Sequence, residues 1–295
     1  MMKSIQRSIE YHALRLFAVA VRLIPLSTAC FLARRLADIV FYIIPIRKKV
    51  VIANLTAAFP EKTPAEILRI AHGVYRQFSQ TMMELLFFPK LSGAQLLNMV
   101  EFKGMDAIDQ ARAEGKGAVL VGAHFGNWEL MGAALAQKHP VSFVVGQQEN
   151  TRVDDILNSF RTGKGIDIIP LKMALRGVMK ALKNNGFIAI LADQDAHEDG
   201  AFVPFFGRPA STPKGPAVFA LRSGCPVIMG TIVREEKRFC ITFERIPAPI
   251  PSGDGEKDIM TYTAAFTATL ERHTREHPDH WFWMHRRWKT VQKKT

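Results

Sequence analysis

The period of the apolar positions divides the chain into a helical N-terminal part and an alternating remainder. On a wheel of about 100° per residue, residues 3–24 gather Lys3, Arg7, Glu10, Arg15 and Arg22 in an arc of roughly 140°, with Ile5, Ile9, Leu16, Phe17 and Val21 outside it. This predicts a basic amphipathic helix ended by Pro25, and a second apolar helix over 27–44 that stops before Pro45 and the triplet Arg47, Lys48, Lys49. Residues 54–98 keep the helical period: Thr63 is an N-cap with Glu66 three residues on and Pro64 at the first helical position, and Pro89 closes the pattern. Short β-branched or apolar runs then begin, at 100–104, 117–123, 141–146, 166–170, 187–193, 226–233 and 238–246. Helical stretches separate them, over 105–114, 128–137, 154–163, 174–184 and 215–223, and a last helix covers 257–276. Such alternation predicts an α/β fold, a mostly parallel central sheet with helices on both faces, preceded by the amphipathic N-terminal helices. The last two runs, joined by Arg234 to Lys237, read as a hairpin.

No stretch of about 18 uncharged apolar residues interrupts this pattern, so a transmembrane span is not expected, and no small-residue cleavage site follows a single short apolar run. The N-terminal helices instead suit the plane of a membrane surface, with Arg and Lys on anionic headgroups and a broad apolar face carrying Phe31, Phe41 and Tyr42; helices packed on a soluble core are the plainer alternative. Residues 1–50 are therefore expected to form a membrane-associating segment and 51–295 an α/β domain with a C-terminal helix and a basic, aromatic tail. Charge supports the division. The 295 residues carry 39 Lys and Arg against 27 Asp and Glu, a net charge of +12. Nine basic and two acidic residues lie in 1–50, seven and three in 271–295, and the remainder is nearly neutral. A basic terminus suits nucleic acid, anionic lipid or an acidic protein, and net charge alone does not choose. Cys30, Cys225 and Cys240 are odd in number and form no C-x-x-C pair, so neither a disulfide framework nor a zinc knuckle is suggested.

Candidate chemistry sits where strands end. The run GAVLVGA leads directly into His124-Phe125-Gly126-Asn127-Trp128-Glu129 and a helix, and the carboxyl ends of parallel strands are where ligands bind in such sheets. Glu129, in the first helical turn, is placed to curl back onto His124 Nδ1 and fix its tautomer. That pair has the parts of a general base with no nucleophile beside it; a G-x-S-x-G elbow is absent and no cysteine neighbours a histidine, so a covalent acyl-enzyme is not indicated. Asp193, Gln194 and Asp195 follow another strand and belong beside the His124 loop, although an Asp after a strand also commonly caps a turn. His273 to His277 fits H-x-x-E-H, but only Asp279 lies beyond as a further acidic ligand, so no metal is expected. Neither a phosphate-binding G-x-x-x-x-G-K-[ST] nor a G-x-G-x-x-G is present.

HFGNWE as H-x4-E after a buried strand, the stretch DQDAHEDGAFVPFFG at 193–207 and the tail DHWFWMHRRWK at 279–289 together resemble the lipid A late acyltransferases, membrane-bound members of the lysophospholipid acyltransferase superfamily. The likeness covers essentially the whole chain. It implies that His124 deprotonates a hydroxyl of a lipid acceptor while Glu129 orients and polarises it, and that the oxygen attacks an acyl thioester directly. A thioester is already activated, so positioning and a base of near-neutral pKa are sufficient chemistry. Backbone N–H groups of the turn from Gly126 to Trp128, or a nearby Arg, are the candidate oxyanion donors. The resemblance places Arg161 near the site, with Asn158 on the same helical face, and assigns Asn127, Asp193, Gln194 and Asp195 to site architecture and acceptor contacts. It makes Phe205 and Phe206 part of an apolar wall, where simple core is the plainer reading. Arg286 and Arg287, between tail tryptophans, suit the phosphates of an anionic glycolipid; interleaved aromatic and basic residues also suit nucleic acid, but no nucleic-acid motif accompanies them.

The expected donor is acyl carrier protein or coenzyme A, and the expected acceptor a lipid A precursor at the cytoplasmic face of a bacterial inner membrane. Ornithine lipid or glycosylated phosphatidylinositol are alternative acceptors, and a basic membrane- or nucleic-acid-binding protein without catalysis is the rival of another class. No cofactor is expected.

Overall fold

The computed structural model describes residues 2–236 and 238–292; Lys237 of the expected hairpin connection, tail residues 293–295 and the Lys3 side chain lie outside the described residues. Five helices come first: α1 (Met2–Val21), α2 (Leu26–Tyr42), α3 (Lys48–Ala58), α4 (Pro64–Phe87) and α5 (Gly93–Asn98). The capping box expected at Thr63 opens α4: Thr63 Oγ1 accepts from Glu66 N at 3.3 Å and the Glu66 carboxylate accepts from Thr63 N at 2.8 Å. α2 packs along α4 through a face of small residues, Ala29, Cys30, Ala33 and Ala37, with Phe41 at its end. Its other face leaves Phe31, Leu32, Leu36, Ile39 and Tyr42 exposed, and α1 likewise exposes Ile5, Ile9, Leu16 and Phe17. Among the described residues, no helix is long and apolar enough to cross a membrane.

The rest is the expected α/β unit: β1 (Val100–Lys103), α6 (Met105–Ala113), β2 (Ala118–Gly122), α7 (Trp128–Ala136), β3 (Val141–Val145), α8 (Thr151–Thr162), β4 (Ile166–Pro170), α9 (Ala174–Lys183), β5 (Phe187–Leu191), β6 (Ala201–Phe205), β7 (Arg208–Thr212), α10 (Gly215–Ser223), β8 (Val227–Arg234), β9 (Phe239–Ile246) and α11 (Gly255–Glu276). Seven strands form one sheet in the order β1-β9-β8-β2-β5-β3-β4, parallel throughout except for the β8–β9 hairpin. β2 lies between β8 and β5 and is buried along its whole length, which is why its sequence is a continuous apolar run. Its side chains still alternate: Val119 and Val121 join a core with Val178, Ala217 and Phe266 of α9, α10 and α11, whereas Ala118 and Leu120 join one with Ile108, Leu130 and Phe160 of α6, α7 and α8.

Residues 201–212, given no regular element from sequence, form the antiparallel pair β6–β7. Its turn residues Phe206 and Gly207 both have positive φ, 52° and 69°. A tight hairpin demands such angles, but a Phe at the first of them is an unusual occupant, and the Phe-Gly signal is weaker than Asn-Gly. After α11 the tail folds back over the sheet. Trp281 and Trp283 are fully buried among Phe205, Phe206 and Phe59, so three segments distant in sequence share one aromatic cluster.

Candidate active site

β2 and β5 are neighbours in register, Gly122 opposite Leu191, so the residues that follow them leave the sheet side by side. His124 and Asp193 meet there. Both Asp193 oxygens face the same residue: Oδ2 accepts from His124 N and Oδ1 lies against His124 Nδ1, each at 2.9 Å. Trp281 of the tail donates its indole N–H to Asp193 Oδ2, also at 2.9 Å. The aspartate is buried and the imidazole is a quarter exposed, its ring set edge-on to Trp128 with centroids 5.0 Å apart. With Nδ1–H donated to the carboxylate, Nε2 carries the lone pair that can accept a proton.

The backbone around His124 is held from two sides. The tail runs past it as a short bridge, with Phe125 opposite Trp281, the His124 carbonyl accepting from Phe282 N at 2.9 Å and the His280 carbonyl from Gly126 N at 2.8 Å. Gly126 has φ of 57°, and a Cβ there would lie 1.9 Å from the Ile232 carbonyl oxygen of β8, so only glycine lets the turn pass this close.

Burial alone would disfavour the imidazolium, but the charge and hydrogen bond of Asp193, with the charge of Glu129 behind them, outweigh it and raise the His124 pKa above its usual value. Asp193 is shifted the opposite way. Desolvation favours its neutral acid, yet the His124 charge and the hydrogen bonds from His124 and Trp281 hold it ionised.

Glu129 does not reach His124 Nδ1, contrary to the sequence reading. Asp193 occupies that position, and both Glu129 oxygens are taken by Arg161 of α8, whose Nε and Nη2 donate at 3.0 and 2.6 Å. The first turn of α7 sends Glu129 toward α8, across a wall rather than back along the loop. Arg161 is therefore brought to the site as expected, and Asn158 accepts from its Nη1 at 2.9 Å. The carboxylate is nearly fully buried and the guanidinium mostly so. This pair borders an apolar cavity between the sheet and α7, lined by Leu120, Met131, Leu135, Phe143 and Phe243. Trp128 also lines the cavity, and its ring touches His124.

Other expected site residues are used differently. Asn127 is buried, with Oδ1 capping α7 at Leu130 N (2.9 Å) and Nδ2 donating to Glu84 of α4 (2.6 Å), so it faces protein rather than an acceptor. Gln194 stays at the site, its amide 3.5 Å from His124 Nδ1. Asp195 anchors the tail, accepting from Thr290 Oγ1 at 2.8 Å and from His197 N at 3.1 Å. Phe205 and Phe206 are core, packed on the tail tryptophans and outside the cavity. Arg286 is exposed, whereas Arg287 is buried, donates to the Ser211 carbonyl at 2.6 Å and Thr212 Oγ1 at 2.5 Å, and is pulled down to about 10 by burial. It secures β7 and is not available to a phosphate. His273 of H-x-x-E-H is buried and faces Glu244 and Glu276 at 3.5 and 3.9 Å.

Sequence reasoning missed Trp281 as a hydrogen-bond donor to Asp193 and Glu84 as the partner of Asn127. A tryptophan in a basic tail carries no local sign that its N–H points at a residue 88 positions earlier.

Residues 4–290 match the family model described as bacterial lipid A biosynthesis acyltransferase. Among similar proteins is the lipid A biosynthesis palmitoleoyltransferase of Escherichia coli K12, 24% identical over 277 residues, or 90% of this chain and 87% of that one. The lipid A biosynthesis lauroyltransferase of the same strain is 26% identical over 83% of this chain and 79% of its own. The phosphatidylinositol mannoside acyltransferase of Mycobacterium tuberculosis H37Rv is 27% identical over 215 residues, which cover 70% of this chain and 66%, just under two thirds, of that protein. With the match running almost from end to end, the chain belongs to the bacterial lipid A biosynthesis acyltransferase family.

Proposed function

We propose that the protein transfers a fatty acyl chain from an acyl thioester to a hydroxyl of a lipid A precursor, with His124 as general base and Asp193 as the group that holds it. The observation that carries this reading is the His124–Asp193 pair at adjacent strand ends, beside an apolar cavity. His124 Nε2 takes the hydroxyl proton as the oxygen attacks the thioester carbonyl. The tetrahedral intermediate then expels the thiolate, which recovers the proton from His124, so ester and thiol are the products and no acyl-enzyme forms. The cavity suits the acyl chain. Arg161, fixed by Glu129, supplies positive charge toward the developing oxyanion or the acceptor phosphate, and Arg286 a second cation at the surface.

Residues 1–50 act as the membrane-associating segment and 51–295 as the acyltransferase domain. The exposed apolar faces of α1 and α2, flanked by Arg7, Arg15 and Arg35, fit the cytoplasmic face of an inner membrane, where acyl carrier protein or coenzyme A delivers the donor. The name of the mycobacterial relative supports a second acceptor, a mannosylated phosphatidylinositol, for the same chemistry. A lipid mass spectrum from cells with and without the gene tests the reading. One fatty acyl unit fewer on lipid A in the deletion strain is expected; an unchanged lipid A with a shift on another lipid would move the acceptor, and no shift on any lipid would overturn the proposal.

A further inference from the structure

Three residues of α4, Gln77, Thr81 and Glu84, share one helical face at i, i+4 and i+7, and all three point at the active-site loop or its supports. Thr81 Oγ1 donates to the Gly126 carbonyl at 3.1 Å. Glu84 is buried, and its Oε2 accepts from Asn127 Nδ2 at 2.6 Å. The orientation of that amide is set independently, because Asn127 Oδ1 is occupied by Leu130 N and only Nδ2 remains for the carboxylate. Arg234, at the end of β8, neutralises Glu84 through two bonds, Nη1 to Oε1 at 2.6 Å and Nη2 to Oε2 at 2.8 Å, and its Nε donates to Gln77 at 2.9 Å. Gln77 in turn meets His280 Nε2 at 2.8 Å, in the tail segment that bonds Gly126 N.

We infer that Glu84 is a positioning residue for acyl transfer, holding the His124 to Glu129 turn in register through the Asn127 side chain. The inference rests on the reading of His124 as the base. Asn127 lies between the two site residues and caps the helix that begins beside it, so its place sets both the His124 loop and the direction of Glu129. A charge already matched by Arg234 acts on this loop by geometry, because a displacement of about 1 Å at a reacting group lowers rate by about 100-fold. Helix α4 is otherwise a scaffold element, and nothing at Glu84 touches the cavity.

A polarity swap tests this. Asn127→Asp sets a carboxylate against the Glu84 carboxylate and breaks the bond while nearly preserving shape. Glu84→Gln alone keeps an amide oxygen that can still accept from Asn127 Nδ2, so it serves as the second-site partner. Combined, the two restore the bond with donor and acceptor exchanged, although the amide nitrogen no longer accepts from Arg234 Nη2 as Glu84 Oε2 does. Transfer of dodecanoate from acyl carrier protein to a lipid A precursor should lose about 10- to 100-fold in kcat in Asn127→Asp, with acceptor KM within about 3-fold of wild type. The double variant should recover at least about 5-fold over Asn127→Asp. An Asn127→Asp variant that keeps wild-type kcat, or a double variant no better than it, would overturn the inference. Where Asn127→Asp folds poorly by near-ultraviolet circular dichroism, the double variant decides alone: it must keep kcat within about 10-fold of wild type. Retained transfer by His124→Ala would sink the base reading instead, whereas loss in His124→Ala with an unaffected Asn127→Asp sinks only the role of Glu84.

Discussion

At the residue scale, Asp193 both favours the imidazolium of His124 and selects its tautomer. Its negative charge raises the His124 pKa, so in the wild type the neutral base is gained only as pH climbs through that raised value. Asp193→Asn removes the charge and leaves burial, which lowers the pKa, opposed only by Glu129. The acid limb of the kcat profile should therefore move to lower pH, while the plateau falls by about 100-fold or more because the tautomer is no longer enforced. A pH–rate series on the two proteins checks both parts, and an acid limb that stays in place would remove Asp193 from the role. The Glu129–Arg161 pair gives a different signature. Arg161→Met leaves a buried carboxylate uncompensated, an expected loss of about 3 to 5 kcal/mol read as a lower urea midpoint, whereas Arg161→Met combined with Glu129→Gln should recover part of it.

At the element scale, the strand-end turn depends on one glycine. Gly126→Ala forces an L side chain into a left-handed conformation and against the Ile232 carbonyl, so about 2 kcal/mol or more of stability should be lost, together with most of the activity. Equal denaturant midpoints for the two proteins would contradict this. Most elements here were legible in sequence because burial imposes a period: β2 is a continuous apolar run, α4 carries its capping box, and the parallel order follows from strands alternating with helices. The His124 loop was legible for the same reason, since a polar turn after a buried strand stands out. What stayed hidden was pairing across the fold. Glu129 lies five residues from His124 and Asp193 lies 69 away, yet the adjacency of β2 and β5 makes the distant carboxylate the partner. Tail arginines look alike in sequence, and only packing against β7 distinguishes buried Arg287 from exposed Arg286.

At the scale of the whole molecule, α1 and α2 leave apolar side chains exposed within the segment that carries the basic excess of residues 1–50. Replacing Leu32, Leu36 and Ile39 with Ser should leave the melting temperature nearly unchanged, because these side chains make little of the core, but abolish sedimentation with anionic vesicles. Wild-type binding to those vesicles should weaken as salt rises from about 0.05 to 0.5 M, as screening of the Arg and Lys contacts requires. The C-terminal tail, by contrast, is structural as well as basic: it closes the aromatic cluster and delivers Trp281 to Asp193, so the α/β part and the tail form one unit around the His124–Asp193 pair. The most direct test of that unit is a single-turnover assay with stoichiometric acyl thioester and lipid A precursor, with wild-type and His124→Ala proteins followed by mass spectrometry of lipid and protein. The wild type should add one acyl unit to the lipid with no acyl adduct on the protein, and His124→Ala should add none. Transfer by His124→Ala at the wild-type rate, or an acyl adduct that forms and decays with the lipid product, would contradict the account.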